Sequence, residues 1–367
     1  MAASPSRSIW SRVANVATLA ATPLAPSHYL ELVSPLRGAS GLRARIESVE
    51  NETAEARTLV LRPGRGWRKH RAGQFVRVGA DIDGRIVTRT YSIASSPERA
   101  DGRIAITVKI VPGGKMSRYL GDDAERGDYL TLSPPQGDFV LPHPLPARVL
   151  FLTAGSGVTP VASMVRTFVA QRAMPDAIHV HYARRADDAI FGAELAGIAA
   201  EHPSYRFLLL TTREGRGARA GHRLDRARLD SLVPDWASRL AWACGPEGFL
   251  GGIEAAFSQM GCSERLTVER FRARIAPLDP NASGGRVRFG LSRAEVDAQP
   301  HTPLLEVAER AGVVAAHGCR MGICHTCDAT LVSGCVRDLR TGARVDEPGA
   351  RIQVCVCAAA GDVEIAL

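Results

Sequence analysis

The segment Val149-Leu-Phe-Leu-Thr-Ala154-Gly155-Ser156-Gly157-Val158-Thr159-Pro160 divides the chain into two styles of folding. Val149–Thr153 is a continuous apolar run, the pattern of a strand buried on both faces. Glycines 155 and 157 then make a tight turn, and residues Val161–Gln171 have helical spacing. A strand, a glycine turn and a helix in that order begin a parallel α/β unit. Further strands are expected at Ile178–Tyr182, Arg206–Thr211 and Leu240–Ala243, with helical stretches between them. Residues 147–275 are therefore expected to form a doubly wound α/β domain.

Before this segment the pattern differs. Leu42–Val49, Ala56–Leu61, Phe75–Val78, Ile86–Ile93, Ile104–Val111 and Tyr129–Ser133 alternate apolar and polar residues between Gly, Pro and Asp. Six such runs predict an antiparallel β-barrel over residues 41–146. After the α/β unit, Ala282-Ser-Gly-Gly285 reads as part of a linker, assigned to 276–284. Val287–Leu291, a helix over Pro303–Ala311, a cysteine loop and Val363–Leu367 then make a compact α+β unit over 285–367.

A chain of 367 residues can hold two or three domains, each with its own core. No run of eighteen uncharged apolar residues occurs, so no transmembrane helix is expected. The net charge of +8 is concentrated at the front, where residues 1–150 carry 21 Lys+Arg against 14 Asp+Glu. Such a surface suits an anionic cofactor, an anionic lipid or an acidic partner. Basic residues interleaved with aromatics are lacking, which argues against nucleic acid. Residues 1–40 form an N-terminal extension in which Ile9, Trp10, Val13, Val16 and Leu19 are spaced like one helical face. It is expected to be a mature amphipathic segment, able to touch a membrane surface or a partner, rather than a cleaved signal. The expected location is cytoplasmic, including the inner face of the membrane, and the expected state is a monomer.

Six of eight cysteines lie within residues 319–357: Cys319, Cys324, Cys327, Cys355 and Cys357, with Cys335 between them. Clustered thiols in a long chain point to a reduced compartment and to metal. Cys319-Arg-Met-Gly-Ile-Cys324-His-Thr-Cys327 has the C-x4-C-x2-C spacing of a plant-type [2Fe–2S] centre, whose two irons require four thiolates. Gly318 and Gly322 allow backbone N–H groups to close around the sulfides. The fourth ligand must come from far along the chain, with Cys355 and Cys357 as candidates. A zinc knuckle, the alternative, more often shows two separated C-x2-C pairs. His325 reads as a surface loop histidine.

Four further motifs carry chemistry. Arg89-Thr90-Tyr91-Ser92 ends a barrel strand, and Gly113-Gly114-Lys115-Met116-Ser117 opens a helix-like segment whose free N–H groups suit a pyrophosphate. Gly155–Pro160 follows the first α/β strand, and Cys244-Gly245-Pro246-Glu247 follows the strand at Leu240–Ala243. Each is weak alone. In this order and spacing, across residues 41–275, they resemble the ferredoxin-NADP⁺ reductase superfamily. The stretch from Ala311 through the cysteine loop to Cys355 and Gly361-Asp362-Val363 resembles the plant-type ferredoxin fold. In that fold the last ligand lies seven residues before such an aspartate, which implies Cys355 and leaves Cys357 a neighbour. Ala359 departs from the proline of many relatives.

The resemblance implies specific roles. Arg89 would hold the flavin phosphate, Tyr91 would flank the isoalloxazine ring, and Ser92, beside Thr90, would hydrogen-bond near N5. Gly114 and Ser117, in one turn with Lys115 and Met116, would bind the FAD pyrophosphate. Gly155, Gly157, Val158 and Thr159 would shape the nucleotide turn, with Pro160 opening the helix. Cys244 would approach the nicotinamide, and Gly245 and Pro246 would shape the loop beside it. Phe271 would shield the flavin or serve as a core residue. Arg213, following the strand at Phe207–Leu210, favours NADPH over NADH, with Arg216, Arg219 and Arg223 adding charge.

The implied metal ligands are Cys319, Cys324, Cys327 and Cys355. The domain order resembles the oxygenase-reductase branch, and His28–Leu36 resembles actinobacterial reductases that serve membrane acyl-lipid desaturases. The implied function is transfer of single electrons from NADPH, through FAD and [2Fe–2S], to an oxygenase or a fatty-acid desaturase. The alternatives are a self-contained NAD(P)H oxidase or small-molecule reductase, and a redox-sensing binding protein.

Overall fold

The computed structural model describes residues 35–37, 41–213, 224–271, 281–318, 320–322 and 325–367. The first sheet contains β1 (Arg43–Thr53), β2 (Ala56–Pro63), β3 (Phe75–Ile82), β4 (Arg85–Ser92), β5 (Ile104–Lys109) and β6 (Tyr129–Leu132). All six expected runs are strands. They pair antiparallel in the order β4-β3-β6-β1-β2-β5, and an Ile93–Ile106 bridge joins the two ends. Closure makes a barrel, because the alternating Ile46, Leu59, Leu61, Val76, Val78 and Ile106 side chains meet inside it. Past β5, the helix Lys115–Arg118 is only four residues long and runs into a wider turn, Tyr119–Asp123.

The second sheet is parallel: β7 (Arg148–Ala154), β8 (Asp176–Ala183), β9 (Tyr205–Thr211), β10 (Leu240–Cys244) and β11 (Leu266–Glu269). Its order is β11-β10-β7-β8-β9, so the winding reverses between β7 and β10. In such sheets ligands bind outside the carboxyl ends of the strands, at that reversal. Helices Val158–Gln171 and Gly192–Glu201 cover one face, and Arg226–Leu232 and Glu247–Gln259 cover the other. The first of these begins at Val158 rather than at Pro160. Pro160 is thus third in the helix, still within the first turn, where its missing N–H forfeits no helical bond.

The third sheet consists of β12 (Gly285–Phe289), β13 (Ala294–Ala298), β14 (Asp328–Asp338), β15 (Arg344–Val345), β16 (Arg351–Gln353) and β17 (Cys357–Ala366). β12 and β17 are parallel neighbours at its centre, β14 runs antiparallel to β17, and the helix Leu304–Arg310 packs Leu304, Leu305, Val307 and Ala308 against it. This is an α+β grasp fold.

The barrel and the parallel sheet share a core, in which Ala56, Ala94 and Phe139 meet Val161 and Met164. Polar contacts fasten the same seam: Ser163 Oγ donates to Ser95 O at 2.6 Å and Arg166 Nη1 to Ala94 O at 2.6 Å. The third unit has a core drawn from its own residues. Among the described residues no helix is long and apolar enough to cross a membrane. The amphipathic stretch expected at 9–20, and most of the 276–284 linker, lie outside the described residues.

Candidate active site

The Arg89–Ser92 motif forms the end of β4, opposite β3. Residues directly opposite in an antiparallel pair share a face. Thr90 therefore lies beside Arg77 and Ser92 beside Phe75, whereas Arg89 and Tyr91 lie with Val78 and Val76. The Thr90 and Ser92 hydroxyls are buried and without a hydrogen-bond partner among the described residues. Buried polar groups are rarely left so, and two side by side call for a ligand that bonds them. Arg89 Nη1 donates only to the adjoining Thr88 O, at 2.8 Å. Burial, and then the like charge of Arg320, push its pKa down, an environment that favours an anion beside it. Burial also raises the Tyr91 phenol pKa, keeping it neutral.

Twenty residues on, Ser117 Oγ accepts from Val111 N and donates to Gly114 O, both at 3.3 Å, so it shapes the glycine turn. Met116 is buried in the barrel core while Lys115 is exposed, which leaves main-chain atoms and Lys115 facing outward. Unbonded hydroxyls, a half-buried arginine and an open glycine turn together fit a dinucleotide flavin.

The turns after β7 and β10 meet at the reversal of the parallel sheet. A Cβ placed on Gly157 would lie 2.1 Å from Cys244 O, so the two turns touch through bare backbone. Thr159 Oγ1 donates to Ser156 O at 3.0 Å, closing the first turn, and the Val158 side chain is buried in the core. Cys244 is fully buried, in register with Thr153 on one side and Glu269 on the other. Burial, and then Glu269, push its thiol pKa up, so it is neutral. Gly245 and Pro246 lead directly into the helix Glu247–Gln259.

Glu269, the last residue of β11, was assigned no role from the sequence. Burial raises its carboxyl to about 8, and Oε2 is sealed from solvent without a partner. The short strand Leu266-Thr-Val-Glu269 gave no sequence signal for it. Phe271 is 38% exposed, which removes the core alternative for it. Arg213 is exposed just past β9, its N–H bonded to Arg184 O at 2.9 Å. Arg184 itself is engaged with Glu55 and Asp188. Arg216, Arg219 and Arg223 lie outside the described residues.

Of the four expected cluster ligands, Cys319 and Cys324 lie outside the described residues. Cys327 and Cys355 are buried side by side, and hydrogen bonding from Cys355 lowers the Cys327 thiol to about 6. Adjacent buried thiols, one readily ionised, fit a metal–thiolate site. Cys357 differs: it begins β17 opposite Asp338, and burial pushes its thiol up to about 12. Arg340 is paired with Asp338 and donates to Gly322 O at 2.9 Å, bracing the cysteine loop. His325 is exposed and faces Asp328 at 3.2 Å, a surface loop residue as expected. Across the domain boundary, Arg77 Nη1 donates to Thr326 Oγ1 at 2.7 Å; within the grasp fold, Arg320 pairs with Glu309 close to His317.

Barrel, parallel sheet and grasp fold, with these sites on them, define a modular flavin and iron–sulfur oxidoreductase that uses a pyridine nucleotide. Family comparison agrees for each of the three units. Residues 44–141 match the oxidoreductase FAD-binding domain, 151–255 the oxidoreductase NAD-binding domain, and 290–360 the 2Fe-2S iron-sulfur cluster binding domain. The chain belongs to the ferredoxin-reductase-type NAD(P)H oxidoreductases carrying these three domains.

It is 46% identical to an NADPH oxidoreductase of Mycobacterium tuberculosis over 356 residues, 96% of this chain and 91% of that protein. It is 32% identical over 315 residues to the glycine betaine monooxygenase reductase subunit of Pseudomonas aeruginosa, covering 80% and 86%. The ferredoxin reductase component of the 3-ketosteroid-9-alpha-monooxygenase of M. tuberculosis is also 32% identical, over 319 residues, again covering 80% and 86%. The fold is that of phthalate dioxygenase reductase, with a TM-score of 0.64 at 24% identity over 89% of this chain and 97% of that one.

Proposed function

We propose that this protein oxidises NADPH and delivers single electrons to a separate oxygenase protein. When bound, FAD turns a two-electron hydride into single electrons, and the [2Fe–2S] cluster carries them one at a time. The chain's own residues bind and align. Arg89 and the 113–117 turn would hold the flavin phosphates, the Thr90 and Ser92 hydroxyls would hydrogen-bond the flavin, and Tyr91 would flank it. The turns at 155–159 and 244–246 would bind the nicotinamide nucleotide, with neutral Cys244 and Phe271 nearby. Arg213 faces the 2′-phosphate, and Cys319, Cys324, Cys327 and Cys355 ligate the irons.

The observation that carries the reading is that the loop bearing the paired thiols bonds to the strand opposite the unpartnered Thr90 hydroxyl. Relatives named as reductase components of monooxygenases support an oxygenase as acceptor. The desaturase alternative, and contact with a membrane, rest on residues 1–40. Anaerobic titration with NADPH, and separately NADH, tests the reading. Flavin bands and a broad cluster absorption should both bleach, at lower NADPH than NADH. A flavin spectrum with no cluster, with zinc on metal analysis, would refute it. Rapid NADPH oxidation by oxygen without any partner would instead favour a self-contained oxidase.

A further inference from the structure

The grasp-fold unit packs its own core, so its placement against the barrel depends on surface contacts. One of these contacts sits between the two redox sites. Arg77 Nη1 reaches Thr326 Oγ1 at 2.7 Å, with both side chains half-buried. Thr326 stands between Cys324 and Cys327 in the chain. Arg77 stands on β3 directly opposite Thr90 and two residues from the Phe75–Ser92 pair.

We propose that Arg77 is a positioning residue for the flavin-to-cluster step, its guanidinium clasping the cysteine loop to the barrel face that carries Thr90 and Ser92. The proposal rests on the electron-transfer reading given above.

Both ends of the clasp are anchored. Arg77 N donates to Ser133 Oγ and its carbonyl accepts from Ser133 N, each at 2.9 Å, so the arginine springs from fixed backbone. On the other side, Cys327 O accepts from Val354 N at 3.4 Å, and Asp328 starts β14 in register with Gln353. A half-buried bond from a charged donor is stronger than a neutral one and fixes direction as well as distance. Other charged groups near this seam are Arg89 from the barrel, and Arg320, Glu309, His317 and Asp328 from the grasp fold, the last paired with His325 and Arg351. Glu309 is paired with Arg320, which leaves Arg77 a positive charge directed at the loop.

No covalent bond forms in the step. For each NADPH oxidised, two electrons pass singly from flavin to cluster and on to the acceptor protein, and a proton is released to solvent. Electron transfer weakens steeply with distance, so a loop free to shift by an ångström would lose rate, while the nucleotide turns of the parallel-sheet domain would be left unchanged. A positive side chain beside the loop also favours the more negative, reduced cluster.

The test is anaerobic stopped-flow mixing of the full-length holoprotein with NADPH, following the flavin and cluster bands separately. In Arg77→Met and in Thr326→Val, FAD and iron contents should match the wild type and flavin bleaching should stay within about twofold. Cluster bleaching should slow by about tenfold or more in each. The double variant should be no slower than Arg77→Met, since both changes remove one bond. Arg77→Lys should recover part of the rate. A readout independent of turnover is hydrogen exchange in the oxidised protein, where amides 325–328 should exchange faster in Arg77→Met.

Unchanged cluster bleaching in both single variants would overturn the proposal. So would flavin and cluster phases slowing together with loss of FAD, which would place Arg77 in flavin binding. If Arg77→Met fails to fold, Thr326→Val decides the matter, because it removes one hydroxyl and keeps the shape. A wild-type cluster that NADPH never bleaches would overturn both this proposal and the reading beneath it, before any variant is made.

Discussion

Replacing Gly157 by alanine isolates the contact between the two nucleotide-binding turns. Gly157 has φ −62°, a value any residue adopts, so the substitution introduces no backbone strain. Its cost is steric. The new Cβ would lie 2.1 Å from Cys244 O, 2.5 Å from Cys244 C and 2.8 Å from Gly245 N. All three are main-chain atoms, with no flexible side-chain end to swing aside. Restoring ordinary contact requires the turns after β7 and β10 to part by roughly 1.3 Å. Overpacking of this kind costs about 1–3 kcal/mol, which should lower the unfolding midpoint of the nucleotide unit by roughly 3–10 °C.

The larger effect is on geometry, because about 1 Å of misplacement can slow a reaction on the order of 100-fold. Single-turnover flavin bleaching by NADPH should therefore fall steeply, with FAD retained. Gly155→Ala is the control: φ is +55° and the space around its Cβ is open. It should cost roughly 1 kcal/mol of backbone strain and slow bleaching far less. If Gly157→Ala melts within a degree of the wild type and bleaches its flavin at the same rate, the turns do not touch in the working enzyme.

Three further outcomes are expected. Cys355→Ser should abolish the cluster absorption and keep the flavin bands, whereas Cys357→Ser should keep both; the opposite result would make Cys357 the fourth ligand. Glu269 is raised by burial from an ordinary 4.5 to about 8. The unfolded chain therefore releases that proton first as pH rises. Glu269 should make stability fall between about pH 4.5 and 8, by up to ~1.4 kcal/mol per pH unit, and add no slope outside that window. Glu269→Gln should flatten the profile of urea midpoints, and an unaltered slope would refute the assignment. Arg213→Ala should weaken NADPH binding by several-fold, about 1 kcal/mol for an exposed pair, more at low salt, and leave NADH unchanged. Equal loss for both nucleotides would remove Arg213 from the 2′-phosphate site.

The sequence made some parts of this architecture plain and hid others for physical reasons. Alternation marked all six barrel strands, because one face of each lines a closed core. The unbroken apolar run at Val149–Thr153 marked the central parallel strand, which is covered on both sides. β14 was not anticipated, although it is the longest strand of its sheet. Its buried residues are Ala329, Leu331 and Val336, and two register shifts break the alternation around Gly334. β11 and β13 are short, half-buried edge strands with little apolar signal. The site was legible where glycines and cysteines impose spacing. Arg77 and Glu269 were not, since each acquires meaning only from a neighbour distant in sequence: Thr326 for the first, and Cys244 across the sheet for the second.

The seam between barrel and parallel sheet has a bearing on how such proteins can be recombined. Ser95, Ala94 and Phe139 are committed to the helix Val158–Gln171, so exchanging either half alone would expose a mismatched surface. Exchange between β11 and β12 cuts through no shared core. The iron–sulfur unit is thus the portable module, able to be traded for one shaped to another acceptor. If Arg77 clasps Thr326 as proposed, a chimera would still need a hydroxyl at the position of Thr326. That requirement sets a compatibility rule a protein engineer can check before joining two genes.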